Sequence, residues 1–168
     1  MLTFTRFGYR KTSMEDVAQA AQISRPGLYF LFSSKPDLFR AAVAQALDRD
    51  LLAVTEALNH DRRPLDERLL ESFDHWAGRY IGPMTLDITG VIDDNPDLLT
   101  TIVDVMPDRF AQLVTQAIAV DVSQVLSKAI ATELAQTLIS TSIGIKHQVH
   151  TRDEYRDRMA LAIRLILR

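Results

Sequence analysis

A chain of 168 residues without cysteine, 47% hydrophobic and 24% charged, has the make-up of a packed globular protein rather than a disordered or fibrous one. The absence of cysteine excludes a disulfide framework, a thiolate metal site and a thiol nucleophile. The net charge of −3 is uneven: residues 1–47 carry six Lys/Arg against three acids, and residues 48–168 carry thirteen against nineteen. Two parts with different partners are expected. The longest charge-free stretch, Leu134 to Ile145, has twelve residues. A bilayer span needs about 20, and MLTFTRFGYRK does not read as a signal peptide. A cytoplasmic protein with no membrane partner is expected.

Helical periodicity runs through nearly the whole chain, and no segment alternates as a strand would. Thr12-Ser13-Met14-Glu15 reads as the capped start of a helix whose stripe is Met14, Val17, Ala18 and Ala21. Ser24 suits the N-cap of a second short helix with Pro26 in its first turn and Leu28, Tyr29 and Phe32 on its apolar side. Ser34-Lys35-Pro36-Asp37 opens a third, with a stripe from Leu38 through Ala42, Val43, Leu47, Leu51 and Val54 to Leu58. A helix from Leu65 to about Tyr80 follows. Gly82-Pro83 and Asn95-Pro96 mark turns around a short helical piece. Asp97 to Val120 reads as a helix bent at Met106-Pro107, and residues 122 to about 147 as a long apolar one. Thr151 caps the last helix, with Asp153 and Glu154 in its first turn.

Residues 12–32 thus form two helices of about nine residues joined by a tight turn, the helix-turn-helix pattern, in the basic part of the chain. Reading DNA requires a short exposed helix whose N-terminal residues reach base edges, with cations directed at phosphates. Arg25 could fork onto guanine, and Gly27 would let the helix approach the groove closely. FGYRKTSMEDVAQAAQISRPGLYFLFSSKPDLFRAAV, residues 7–43, resembles the DNA-binding domain of the TetR family of transcriptional regulators. The resemblance rests on Gly8-Tyr9, Val17-Ala18, Ala21, Ser24, Leu28-Tyr29, Phe32, Ser34-Lys35 and Leu38-Phe39. It implies that Thr12, Tyr29 and Lys35 touch phosphates and that Arg25, Gly27 and Phe30 face bases, with Ser24 opening the reading helix.

The chain departs from the family pattern at Gln22, where glycine is common in a positive-φ turn, and at Leu31, where His or Tyr is common. The family's first helix usually begins further upstream, so Leu2, Phe4 and Phe7 are left to share its packing. The expected fold is all-α: an N-terminal three-helix DNA-binding domain over residues 1–47, its first helix short, and a ligand-binding and dimerisation domain over 48–168.

In the second part, Tyr155, Met159, Ala162, Ile163 and Ile166 form one face of the last helix, and Leu161, Leu165 and Leu167 occupy much of the rest. The preceding helix is similarly rich, with Val122, Val125, Leu126, Ala129, Ile130, Leu134, Leu138 and Ile145. Helices so apolar suit a two-fold four-helix interface, and the resemblance also implies a homodimer through them. Phe73, His75, Trp76, Tyr80, Met84, Met106 and Phe110 gather aromatic and methionine side chains that suit either core or a small-molecule pocket. The resemblance implies an effector that lowers operator affinity when bound there.

No cofactor, metal or catalytic site is expected. His147 and His150 lack a carboxylate at ligand spacing, and Asp93, Asp94 and Asp97 lack the glycine and glutamate of a calcium loop. The functional expectation is a ligand-responsive repressor that binds a near-palindromic operator as a dimer. The alternative is a ligand-binding or adaptor dimer that has lost sequence-specific DNA binding.

Overall fold

The computed structural model describes residues 2–82, 96–121 and 128–167, and among them every regular element is a helix. In chain order these are α1 (Leu2–Phe7), α2 (Met14–Ala20), α3 (Arg25–Leu31), α4 (Lys35–Leu58) and α5 (Leu65–Trp76). A 3₁₀ turn (Gly78–Tyr80) follows, then α6 (Pro96–Asp121), α7 (Lys128–Lys146) and α8 (Arg152–Ile166). Met84, Asp93, Asp94, Val122, Val125, Leu126 and the short helical piece expected between Pro83 and Asn95 lie outside the described residues. No helix of the structure is long and apolar enough to cross a membrane among the described residues.

The chain divides into two compact units. The first takes the residues up to Asp48 and the start of α6 as far as Asp104; the second takes Arg49 onward and the chain from Val105. The core of the first unit is Phe4, Met14, Ala18, Leu28, Leu38, Phe39, Val43 and Leu99, with Leu98 and Ile102 of α6 packed against it. Helix α6 therefore brings apolar side chains from a distant part of the sequence to the helices before residue 48. Such support matters for α1, because six residues of helix are marginal alone. Phe4 is buried at the centre of an aromatic group, its ring 5.1 Å from Phe39 and 6.1 Å from Tyr9. Phe7 does not share that packing as expected: it is half exposed, with the Arg6 guanidinium over its ring. The side chain of Leu2 lies outside the described residues.

In the second unit the buried stripes of α5 (Leu65, Leu69, Phe73), α6 (Phe110, Val114, Ile118), α7 (Ala131, Ala135, Leu138) and α8 (Tyr155, Met159, Ile163) make the core. Their spacing of three to four residues is the one-sided pattern that a helix buries. Thr151 caps α8 as its sequence indicates, accepting from the Glu154 amide while Glu154 reaches back to the cap. α5 ends at Trp76, short of the expected Tyr80, because the chain tightens at Gly78. α6 runs through Pro107 as one helix.

Candidate nucleic-acid interface

The helix-turn-helix is built from local hydrogen bonds. α2 is capped by Ser13, one residue later than Thr12. The Ser13 hydroxyl accepts from the Asp16 amide at 3.1 Å, and Asp16 accepts from the Ser13 amide at 2.8 Å. The hydrogen bonds from Ser13 hold the Asp16 carboxyl below its ordinary pKa. Thr12 is buried, its hydroxyl donating to the carbonyls of Gly8 at 2.8 Å and Thr3 at 3.3 Å. Its side chain therefore ties α1 to the start of α2 and is turned away from the surface in the chain without DNA.

α2 ends in a Schellman motif. The Gln22 amide donates to Gln19 and the Ile23 amide to Ala18, with Gln22 itself at φ +56°. This is the left-handed geometry that glycine occupies without strain. Gln22→Gly should therefore raise the stability of the first unit by up to about 1 kcal/mol. A denaturant titration checks this, and an unchanged or lower midpoint would contradict it.

Ser24 then caps α3, accepting from the Gly27 amide at 3.1 Å. A Cβ on Gly27 would lie 3.0 Å from that hydroxyl oxygen, so the glycine keeps the cap close. Leu28 is 2% exposed and fixes which side of α3 faces the core. The opposite side is open: Arg25 and Pro26 are exposed, Tyr29 is half exposed and Phe30 is 89% exposed. The Arg25 guanidinium lies 5.7 Å from the Tyr29 ring centroid and 3.7 Å from the Glu15 carboxylate. Both partners of that ion pair are solvated, so it holds Arg25 by under about 1 kcal/mol and gives way readily to a stronger anion. Leu31, where a polar residue was expected from the family pattern, is also exposed.

α4 begins at Ser34, whose hydroxyl accepts from the Asp37 amide at 3.2 Å and donates to the Asp37 carboxylate at 2.7 Å. Hydrogen bonds from Ser33 and Ser34 lower the Asp37 pKa. Lys35 is engaged from within. Its ammonium donates to the carbonyls of Thr12 at 2.9 Å, Tyr9 at 3.0 Å and Arg10 at 3.5 Å, and lies 4.5 Å from the Tyr9 ring centroid. Three carbonyls match its three N–H bonds. In the chain without DNA, Lys35 thus clamps α4 to the α1–α2 connection. Lys35→Ala should destabilise the DNA-free first unit by about 1–2 kcal/mol. Unchanged chemical denaturation of that unit would contradict the clamp.

The residues expected to line a pocket behave differently. Phe73, Met106 and Phe110 are buried, with Phe73 edge-on to Phe110 at 5.2 Å and Trp76 stacked on Phe110 at 4.8 Å. His75 pairs with Glu71 at 3.8 Å. The Tyr80 hydroxyl donates to Asp50, which Arg79 also holds at 2.8 Å. Burial raises the pKa of Asp50 despite these partners. A cleft of about 270 Å³ opens beside other residues, among them Thr55, Asn59, Arg68 and Gln116. Arg68 donates there to the Leu58 carbonyl and to Asp121. Among the described residues no three His, Asp or Glu side chains gather to hold a metal ion.

A short capped helix, α3, joined to α2 by a tight turn and packed on a core shared with α1, α2, α4 and the start of α6, defines the class: a helix-turn-helix fold. The sequence pattern of the bacterial regulatory proteins of the tetR family matches residues 3–42, so the N-terminal part of the chain is similar to that family. The HTH-type transcriptional regulator RutR of Escherichia coli K12 is 38% identical over 63 residues, 38% of this chain and 29% of that protein. YfiR of Bacillus subtilis, also an HTH-type transcriptional regulator, is 35% identical over 57 residues, 34% of this chain and 28% of that protein. The chain therefore spans under a third of the length of these curated relatives. The crystal structure of PfmR, a TetR-family transcriptional regulator from Thermus thermophilus, superposes with a TM-score of 0.59 at 20% identity. The superposition covers 98% of this chain and 92% of PfmR, and so supports the fold through both units.

Proposed function

We propose that the chain is a transcriptional regulator that binds a near-palindromic DNA operator as a homodimer, represses from it in the cytoplasm, and is released by a small molecule. The observation that carries this reading is the exposed face of α3. A short helix capped by Ser24 presents Arg25, Pro26, Tyr29 and Phe30 outward while Leu28 anchors it to the core. Such a helix fits the major groove, where its side chains meet base edges. Arg25, held only weakly by Glu15, is the cation for a guanine edge or a flanking phosphate. Residues 1–47 form the DNA-binding domain in this reading, and residues 48–168 bind the effector and the second copy.

Dimerisation is supported by side chains that the second unit leaves uncovered. Ile130 and Ile143 of α7 and Leu161 and Leu165 of α8 are exposed, while Tyr155, Met159 and Ile163 face inward. Two helices each carrying apolar groups on a solvent side suit a partner related by two-fold symmetry. Effector binding belongs to the second unit, in the neighbourhood of Trp76, Tyr80 and Met106. There Trp76 stacks on Phe110 and Met106 is buried, aromatic and methionine side chains of the kind that line small-molecule sites.

Titrating fluorescent duplexes of the DNA flanking the protein's own gene at several salt concentrations tests the function. Binding to one sequence in preference to scrambled DNA, weakening steeply with salt, is the expected result. Equal affinity for all duplexes, or none, would favour an adaptor that has lost DNA recognition.

A further inference from the structure

We infer that Phe30 reads the methyl group of a thymine in each operator half-site, an inference that rests on the DNA-binding reading above. Around α3, successive residues turn by about 100°. Measured from Leu28, which points into the core, Pro26 and Phe30 fall about 160° and 200° away and share the outermost line of the helix. Arg25 and Tyr29 flank that line on one side, joined by the contact of guanidinium and ring. Gly27 and Leu31 flank it on the other. The part of the helix that enters deepest into a groove is therefore apolar, and Phe30, 89% exposed, is its largest group.

The chemistry then narrows the target. A phenyl ring neither donates nor accepts a hydrogen bond of ordinary strength, so it has no use for the N7, O6, N6, O4 or N4 groups of the major groove. The one apolar group among the base edges there is the C5-methyl of thymine. Guanine or cytosine opposite the ring would lose hydration at polar atoms with nothing in return. Phe30 thus selects an A·T pair in the orientation that brings the methyl beneath the ring, while Arg25, on the adjacent flank, remains free to choose a different pair.

The test begins with duplexes enriched from a random pool by the full chain. Each thymine of the enriched site is replaced in turn by uracil, which removes the methyl and leaves the base pairing intact. At one position per half-site the substitution should weaken binding about fourfold, the value of one buried methyl-sized group. Phe30→Ala should bind thymine and uracil equally at that position, Phe30→Leu should keep part of the preference, and Arg25→Ala should keep all of it. Because Phe30 is exposed, these variants should fold as the natural chain does, which circular dichroism checks. Full affinity for uracil at every position, or a methyl preference undiminished in Phe30→Ala, overturns the assignment of Phe30 and leaves DNA binding standing. If no sequence is enriched, the DNA-binding reading fails and the assignment with it.

Discussion

The double variant Arg152→Ala/Arg156→Ala is expected to lose about 3 kcal/mol of stability in the second unit, the lower end of the range for stripping a buried charge of its partners. The Asp74 side chain, on α5, is 3% exposed. Arg152 grips it with two hydrogen bonds, from Nε at 2.9 Å and Nη2 at 2.5 Å, and Arg156 adds a third at 2.5 Å. The arginines keep part of their surface in water, which moderates the effect, but the carboxylate has no such recourse. Arg156→Ala alone should cost less, since the two-pronged Arg152 contact remains.

The same group predicts a pH dependence. Burial pushes the Asp74 pKa up, but the hydrogen bonds and charges of Arg152 and Arg156 outweigh it, so the group ionises below its ordinary value of 3.8. A carboxyl with a lowered folded-state pKa stabilises the native state above its unfolded pKa. That contribution is lost as pH falls through the folded one. The difference between natural and double-variant proteins should accordingly be largest at neutral pH and above, and shrink as pH falls from the raised pKa that burial alone leaves Asp74 in the variant to the lowered one of the natural chain. Urea unfolding at a series of pH values measures it, and a difference that does not change with pH would contradict an electrostatic origin.

Gly78→Ala is expected to cost about 2–3 kcal/mol, near the upper end for overpacking. A Cβ built on Gly78 would stand 2.5 Å from the Asp74 carboxylate and 2.7 and 2.9 Å from two ring carbons of Tyr155. Neither neighbour is free to retreat. Asp74 is held by its two arginines, and Tyr155, fully buried, is anchored by a 2.7 Å hydrogen bond between its hydroxyl and Ser142. The glycine is needed here for space, because the 3₁₀ turn after α5 presses directly on α8. Combining Gly78→Ala with Tyr155→Leu, which vacates part of that space, should cost less than the sum of the two single changes. Strict additivity in thermal or urea unfolding would contradict the proposed crowding.

How far the sequence disclosed all this depends on the range of each interaction. The caps of α3 and α8 were legible because Ser24 and Thr151 bond to amides three residues away. The left-handed turn at Gln22 was legible from the family pattern, and the structure gives it a φ of +56°. The start of α2 was read one residue early, since Thr12 and Ser13 are both competent caps. What separates them is Thr12 facing the carbonyls of Gly8 and Thr3, a tertiary contact. The contacts of Lys35 with the α1–α2 connection were not legible for a similar reason: its acceptors lie 23 to 26 residues away, beyond any helical period. The pairing of Asp74 with Arg152 spans 78 residues and left no trace in local spacing. The outermost place of Pro26 and Phe30 on α3, by contrast, follows from the position of Leu28 alone, and the helical wheel could have singled out Pro26.

The central claim is that α3 reads DNA in pairs, and selection from a random duplex pool with the full chain tests it most directly. The expected result is an enriched inverted repeat whose half-site centres lie about one helical turn, roughly 34–36 Å, or a multiple of it apart, bound by two protomers. A pool that stays random after selection, or a single enriched site bound by one protomer, would contradict it.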